Sequence, residues 1–120
     1  MSLFKVNVTA INPKHEKVKS LPIEALVDTG SGLTWLPSEL LKKTGVTPRR
    51  KRSFLTATRN SITRDVGYVI LAAEGFETTD EVVFAEPNDM TLPGVRTLNG
   101  FGVMADPLGH RLVATTTIAA

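Results

Sequence analysis

Residues 23–37 read Ile23-Glu24-Ala25-Leu26-Val27-Asp28-Thr29-Gly30-Ser31-Gly32-Leu33-Thr34-Trp35-Leu36-Pro37. The first five form a short apolar strand that stops abruptly at Asp28, and Thr29, Gly30, Ser31 and Gly32 then supply turn residues. A carboxylate therefore sits where a strand breaks open. Upstream, Phe4, Val6, Val8 and Ala10 alternate with Lys5, Asn7 and Thr9, the period-two pattern of a half-buried strand, and the polar stretch from Asn12 to Ser20 reads as a loop.

Downstream, Pro37, Ser38 and Glu39 open a short helix through Lys43, with an acid near its start, lysines near its end and Gly45 as its stop. Ser53 to Thr58 and Ile62 to Leu71 read as two strands of a long exposed hairpin around the polar tip Arg59, Asn60 and Ser61. Thr78 to Phe84 adds a further strand. Beyond Pro93 and Gly94, Val95 to Phe101 reads as a second short helix closed by Gly102. Val103 to Ala105 and Arg111 to Thr117 flank the turn from Asp106 to Gly109. Short strands outnumber helices, which predicts a mainly β barrel or sandwich in one domain spanning residues 1–120.

Composition narrows the chemistry. The absence of cysteine excludes disulfides, thiolate nucleophiles and cysteine-ligated zinc, and His15 and His110 alone do not make a metal site, so neither metal nor cofactor is expected. No apolar run approaches the roughly 20 residues of a membrane span, and no secretion signal is visible, so the expected setting is the cytoplasm, without membrane partners. The net charge is only +2, but Arg49, Arg50, Lys51 and Arg52 form one basic run, while Glu74, Glu77, Asp80, Glu81, Glu86 and Asp89 concentrate acid later in the chain. The basic run lacks interleaved aromatic residues and reads as a solvated approach to the hairpin; nucleic acid is not the expected partner.

Two readings fit Asp28. In one, it is a turn aspartate whose side chain satisfies nearby backbone N–H groups. In the other, it takes part in hydrolysis, which needs both a base for water and an acid for the substrate. Two carboxylates forced together share one proton and fill both roles. This chain offers one such aspartate, so the second reading requires a homodimer in which two copies of Asp28 meet on the two-fold axis.

The loop Asp28-Thr29-Gly30-Ser31, with Thr34 and Leu36 after it, resembles the retroviral-type aspartic proteases (retropepsins), and especially their small bacterial single-domain relatives. Leu92-Pro93-Gly94 followed by Leu98 and Gly102 is similar to the family's later apolar-Gly segment. The resemblance covers roughly Ile23 to Val113. It implies an all-β, closed-barrel acid protease fold with one or two short helices, acting on peptide or protein substrates as a homodimer whose termini, Phe4–Val8 and Leu112–Ile118, join a shared sheet. Asp28 is then the catalytic carboxylate, Thr29 holds the paired loops across the axis, Gly30 admits the substrate backbone, and the Ser31 hydroxyl donates to Asp28. Trp35, Met90 and Leu92 line side-chain pockets, and Thr58, Arg59, Asn60, Ser61 and Ile62 form the tip of a flap over the substrate.

The chain departs from the retroviral pattern in three places. Its flap tip has no glycine, Pro93 replaces an aliphatic residue, and Gly32 and Val95 stand where retroviral members carry an ion-paired acid and arginine. Loss of both charges together leaves neither buried alone. The glycine-free tip also keeps open a second reading, a non-catalytic dimerisation or peptide-binding module on the same fold.

Overall fold

The computed structural model describes residues 4–27, 29–116 and 119. It is mostly β, with strands β1 (Phe4–Ile11), β2 (Ile23–Val27), β3 (Thr34–Pro37), β4 (Arg50–Leu55), β5 (Ser61–Ala73), β6 (Phe76–Ala85), β7 (Val103–Asp106) and β8 (Arg111–Ala114), and two short helices, α1 (Ser38–Lys43) and α2 (Val95–Phe101). Among the described residues no helix is long and apolar enough to cross a membrane.

Six strands form one sheet, five of them in the order β2-β1-β5-β6-β3 with β4 joined to β5 off that path, and β7 and β8 make a separate two-stranded ribbon. β5 organises the sheet. Its first half pairs antiparallel with β4, Ser61↔Leu55 to Val66↔Arg50, and its second half pairs with β1 through Ile70, Leu71 and Ala72. The opposite edge pairs with β6 from Val66↔Val83 to Ala73↔Phe76. β3 runs parallel to β6, with Thr34 opposite Val82 and Pro37 opposite Ala85. A parallel neighbour requires a crossover, which α1, β4 and β5 provide.

The strand β6 is buried without interruption from Asp80 to Ala85, because it is covered on both faces and paired on both edges. The main core gathers Val8, Leu36, Leu41, Val69, Leu71 and Val82. A smaller cluster of Leu33, Val66 and Val83 packs with Trp35 and Phe54 beneath the β4–β5 hairpin.

β2 and α2 have the bounds read from sequence, and Gly102 closes α2 in the left-handed conformation at φ 75°. Two elements differ. Thr34–Pro37 is a strand that its four residues do not announce; it is held by β6 on one side and by the Trp35–Leu92 bridge on the other. The hairpin lies earlier than read, with its turn at residues 56–60, because β4 begins in the basic run itself. Leu36 in β3 is fully buried. Leu36→Ala is therefore expected to lower unfolding free energy by about 2–5 kcal/mol, read from the urea midpoint.

Candidate active site

The site is assembled from the loop after β2, the start of β3, the start of α2 and the strand β4. Asp28 lies outside the described residues, as do Thr117 and Ile118 of the terminal segment. The described part of the loop, residues 29–33, rests on the N-terminal end of α2. Val95 N–H donates to the Ser31 carbonyl (2.8 Å) and Arg96 N–H to the Gly32 carbonyl (3.1 Å). Gly94 is required there by close approach: a Cβ on it would stand 2.5 Å from the Leu33 carbonyl carbon and oxygen and 2.6 Å from the Gly32 oxygen.

Beneath the loop lies a buried hydroxyl pair. Thr34 Oγ1 and Thr97 Oγ1 are hydrogen-bonded, Gly94 N–H donates to Thr34 Oγ1 (2.9 Å), and Thr97 Oγ1 donates to Asp80 Oδ2 (3.0 Å). Since the Thr97 proton goes to Asp80, Thr34 supplies the proton of the hydroxyl pair and receives the Gly94 N–H; each group is satisfied without water. The Asp80 carboxylate also accepts its neighbour's backbone N–H (Glu81, 2.7 Å) and pairs with Arg96 (3.2 Å).

Glu81, only 3% exposed, is the second acid in this layer. Its Oε2 accepts from Arg50 Nε and Nη2 (3.1 and 2.9 Å), and its Oε1 accepts from Arg52 Nη1 (2.8 Å). Burial pushes the Glu81 carboxyl up, but the hydrogen bonds and charges of Arg50 and Arg52 outweigh it and hold the group below the usual carboxylate range. A second pair tethers the β4–β5 hairpin: Arg64 of β5 grips Asp89 bidentately at 2.7 and 3.0 Å. The Arg64 hydrogen bond lowers the Asp89 carboxyl against an opposing contribution from burial.

The basic run is exposed at Arg49, Arg50 and Lys51, as read, but it is also paired. Arg50 and Arg52 hold a buried acid, Lys51 pairs with Asp65 (2.9 Å), and Arg49 lies over the Tyr68 ring. Glu81 is the partner that the sequence separated from Arg50 and Arg52, as Asp80 is separated from Arg96 and Asp89 from Arg64; the trace of the first two acids in the sequence is the pair Asp80-Glu81 opening the otherwise apolar run Val82-Val83-Phe84-Ala85.

A cleft of about 490 Å³ opens between the loop and β4. Gly30, Ser31 and Leu33 form one wall, Trp35 and Phe54 the floor, and Arg52 and Leu55 the other side. The Trp35 and Phe54 rings meet at 5.1 Å with a 55° tilt. Trp35 thus lies in the cleft, Leu92 is buried behind it on the bridge to β3, and Met90 is exposed on the turn before it. Thr29 and Gly30 are exposed.

The Ser31 hydroxyl donates to the Leu33 carbonyl (2.8 Å), so its proton braces the loop where donation to Asp28 was expected. At the tip of the β4–β5 hairpin, where the flap was expected, Thr58, Arg59 and Asn60 occupy the turn, and Ser61 and Ile62 begin β5. The turn satisfies itself: Thr56 N–H bonds the Asn60 carbonyl, Arg59 N–H the Thr56 carbonyl, and Asn60 N–H the Thr56 hydroxyl. Arg59 takes the left-handed conformation at φ 65°.

A β-rich domain with a braced Thr-Gly-Ser turn facing a cleft under a hairpin has the build of a hydrolase of the protease kind. Set against known protein families, residues 16–101 match the aspartyl protease family, and the chain belongs to that family, in its retropepsin-like type. The matched span includes both the Asp28 loop and α2. No curated protein matches the chain.

Two predictions follow from this layer. Gly94→Ala is expected to cost about 1–3 kcal/mol through the clash with Leu33, read from the urea midpoint. Because Glu81 and Asp89 have depressed folded pKa values, the unfolded chain binds their protons first as pH falls. Their stabilisation is therefore present above the ordinary carboxylate range and is lost as pH drops through the folded values. The stability deficit of Glu81→Gln relative to the native chain should accordingly be largest at pH 7 and shrink below about pH 4, in urea titrations at both pH values.

Proposed function

We propose that the chain is an aspartic endopeptidase, active as a homodimer in which two Asp28 carboxylates share one proton at the two-fold axis. The observation that carries this reading is the bracing of residues 29–33 by Val95, Arg96 and the Thr34–Thr97 pair, beside a cleft whose floor is aromatic. Rigid support of this kind is what a carboxylate pair needs to stay at a separation where both cannot ionise.

In this mechanism the ionised carboxylate takes a proton from water as the water oxygen attacks the peptide carbonyl carbon. The protonated partner passes its proton to the carbonyl oxygen. Collapse of the tetrahedral species breaks the C–N bond, with a proton delivered to the departing nitrogen. Thr29 and Gly30, exposed in the single chain, fit a role at the subunit contact and beside the substrate backbone. Trp35, in the cleft and backed by the buried Leu92, fits a preference for apolar residues next to the scissile bond, while Met90, outside the cleft lining, would reach a substrate only beyond it, and the 56–60 turn with Ser61 and Ile62 serves as the flap.

The closed barrel belongs to the same reading. Leu26 N–H of β2 bonds the Thr91 carbonyl (3.3 Å), while Trp35 of β3 exchanges hydrogen bonds with Leu92 (2.8 and 3.0 Å), so residues 91–92 bridge the two ends of the sheet. Phe4–Val8 pairs with β2 along one edge, and the β5 ladder reaches only Thr9 to Ile11 of β1. Among the described residues no strand pairs with the other edge of Phe4–Val8, which supports its use by a second copy.

One observation favours the second reading, a peptide-binding module without turnover: the flap turn spends the N–H groups of Thr56, Arg59 and Asn60 on itself rather than offering them to a substrate. The experiment is cleavage of a diverse peptide library between about pH 4 and 7 by the native chain and by Asp28→Asn. The native dimer should cleave, and the variant should lose at least about a thousandfold in kcat/KM while remaining dimeric in sedimentation. Undiminished cleavage by the variant rejects the mechanism, and binding without cleavage by the native dimer selects the module.

A further inference from the structure

Of the described residues lining the cleft, Arg52 alone is charged. It stands on β4 between two requirements. Its Nη1 is bound to the buried Glu81 carboxylate at 2.8 Å, and its guanidinium carbon lies 5.7 Å from the Phe54 ring centroid, yet the side chain remains 37% exposed. Among the described residues only Nη1 donates a hydrogen bond, which leaves Nε and Nη2 for a ligand. A guanidinium oriented by one carboxylate and an aromatic face presents its remaining N–H groups in a fixed plane, suited to a second carboxylate.

The charge balance points the same way. Arg50, Arg52 and Arg96 surround Glu81 and Asp80, three cations against two anions. Arg50 directs two N–H groups at Glu81 and Arg96 approaches Asp80, and neither lines the cleft. The cross-strand neighbour Arg64 is occupied by Asp89 and Glu86. The unbalanced positive charge therefore meets the cleft at Arg52, beside an apolar floor.

We propose that Arg52 is a specificity-determining residue that binds an aspartate or glutamate side chain of the peptide, so that the cleft selects an acidic residue close to an apolar one. The inference rests on the reading of the cleft as a peptide site and deepens it. Glu81 acts here as a positioning residue, holding the Arg52 fork in place from below.

The test is a scan in which one apolar octapeptide carries glutamate, then glutamine, at each position in turn. Two readouts are taken: cleavage by the native chain, and binding to Asp28→Asn followed by fluorescence of Trp35, the one tryptophan in the chain and part of the cleft floor. At one position glutamate should be favoured over glutamine by about tenfold, the scale of a charge-assisted hydrogen bond. Arg52→Gln should erase that preference in both readouts. Arg50→Gln, which removes hydrogen bonds from the same buried acid without touching the cleft, should keep it. Equal treatment of glutamate and glutamine at every position overturns the proposal, as does equal loss of preference in both arginine variants. Arg52-dependent binding of the glutamate peptide without cleavage by the native dimer sinks the peptidase reading and leaves the Arg52 assignment standing. Cleavage with no acidic preference does the reverse, and absence of both binding and cleavage sinks both.

Discussion

The hydroxyls of Thr34 and Thr97 meet in the interior, and the site takes its shape from that contact. One belongs to the strand leaving the Asp28 loop and the other to the helix beneath it, 63 residues later. Neither hydroxyl tolerates burial alone, since an unpaired polar group in a dry interior costs about 1–3 kcal/mol. Gly94 N–H on one side and the Asp80 carboxylate on the other complete the set. The same arrangement brings α2 close enough for its first N–H groups to reach the loop carbonyls, and that proximity is what forbids a side chain at Gly94.

Buried charge is organised around this centre. Asp80 and Glu81 lie side by side on the most enclosed strand, and their countercharges arrive from two directions, Arg96 from the helix and Arg50 and Arg52 from β4. Removing one partner from such a cluster leaves a charge without compensation, which costs more than a surface pair contributes. The cluster therefore ties the base of the β4–β5 hairpin to the helix that supports the loop.

Much of this was legible in sequence, for local reasons. The alternation of Phe4 to Ala10, the abrupt acid at Asp28 and the glycine stops at Gly45 and Gly102 are short-range signals, and the elements that they mark appear in place. The Asp-Thr-Gly-Ser loop and the Leu92-Pro93-Gly94 segment, read together, pointed to the family. What escaped was long-range. Thr34–Pro37 is a strand because β6 and Leu92 flank it, and four residues carry no periodicity of their own. The pairing of Arg50 and Arg52 could not be read locally, because their partner Glu81 lies some thirty positions away. Thr97 gave no sign of its role, since a threonine in an amphipathic helix is unremarkable without Thr34 and Asp80 beside it. The Ser31 hydroxyl turned to a carbonyl two residues on, a choice that loop geometry makes and residue type does not.

The distance in sequence between the two threonines also sets an order of events. During synthesis the turn after β2 emerges long before Gly94, Val95, Arg96 and Thr97, and until those residues dock it lacks the hydrogen bonds that hold its carbonyls. Closing so long a segment is among the slower steps available to a chain of this size. A nascent molecule thus extends 63 residues beyond Thr34 before Thr97 is made, with only local contacts such as that of the Ser31 hydroxyl to steady the turn.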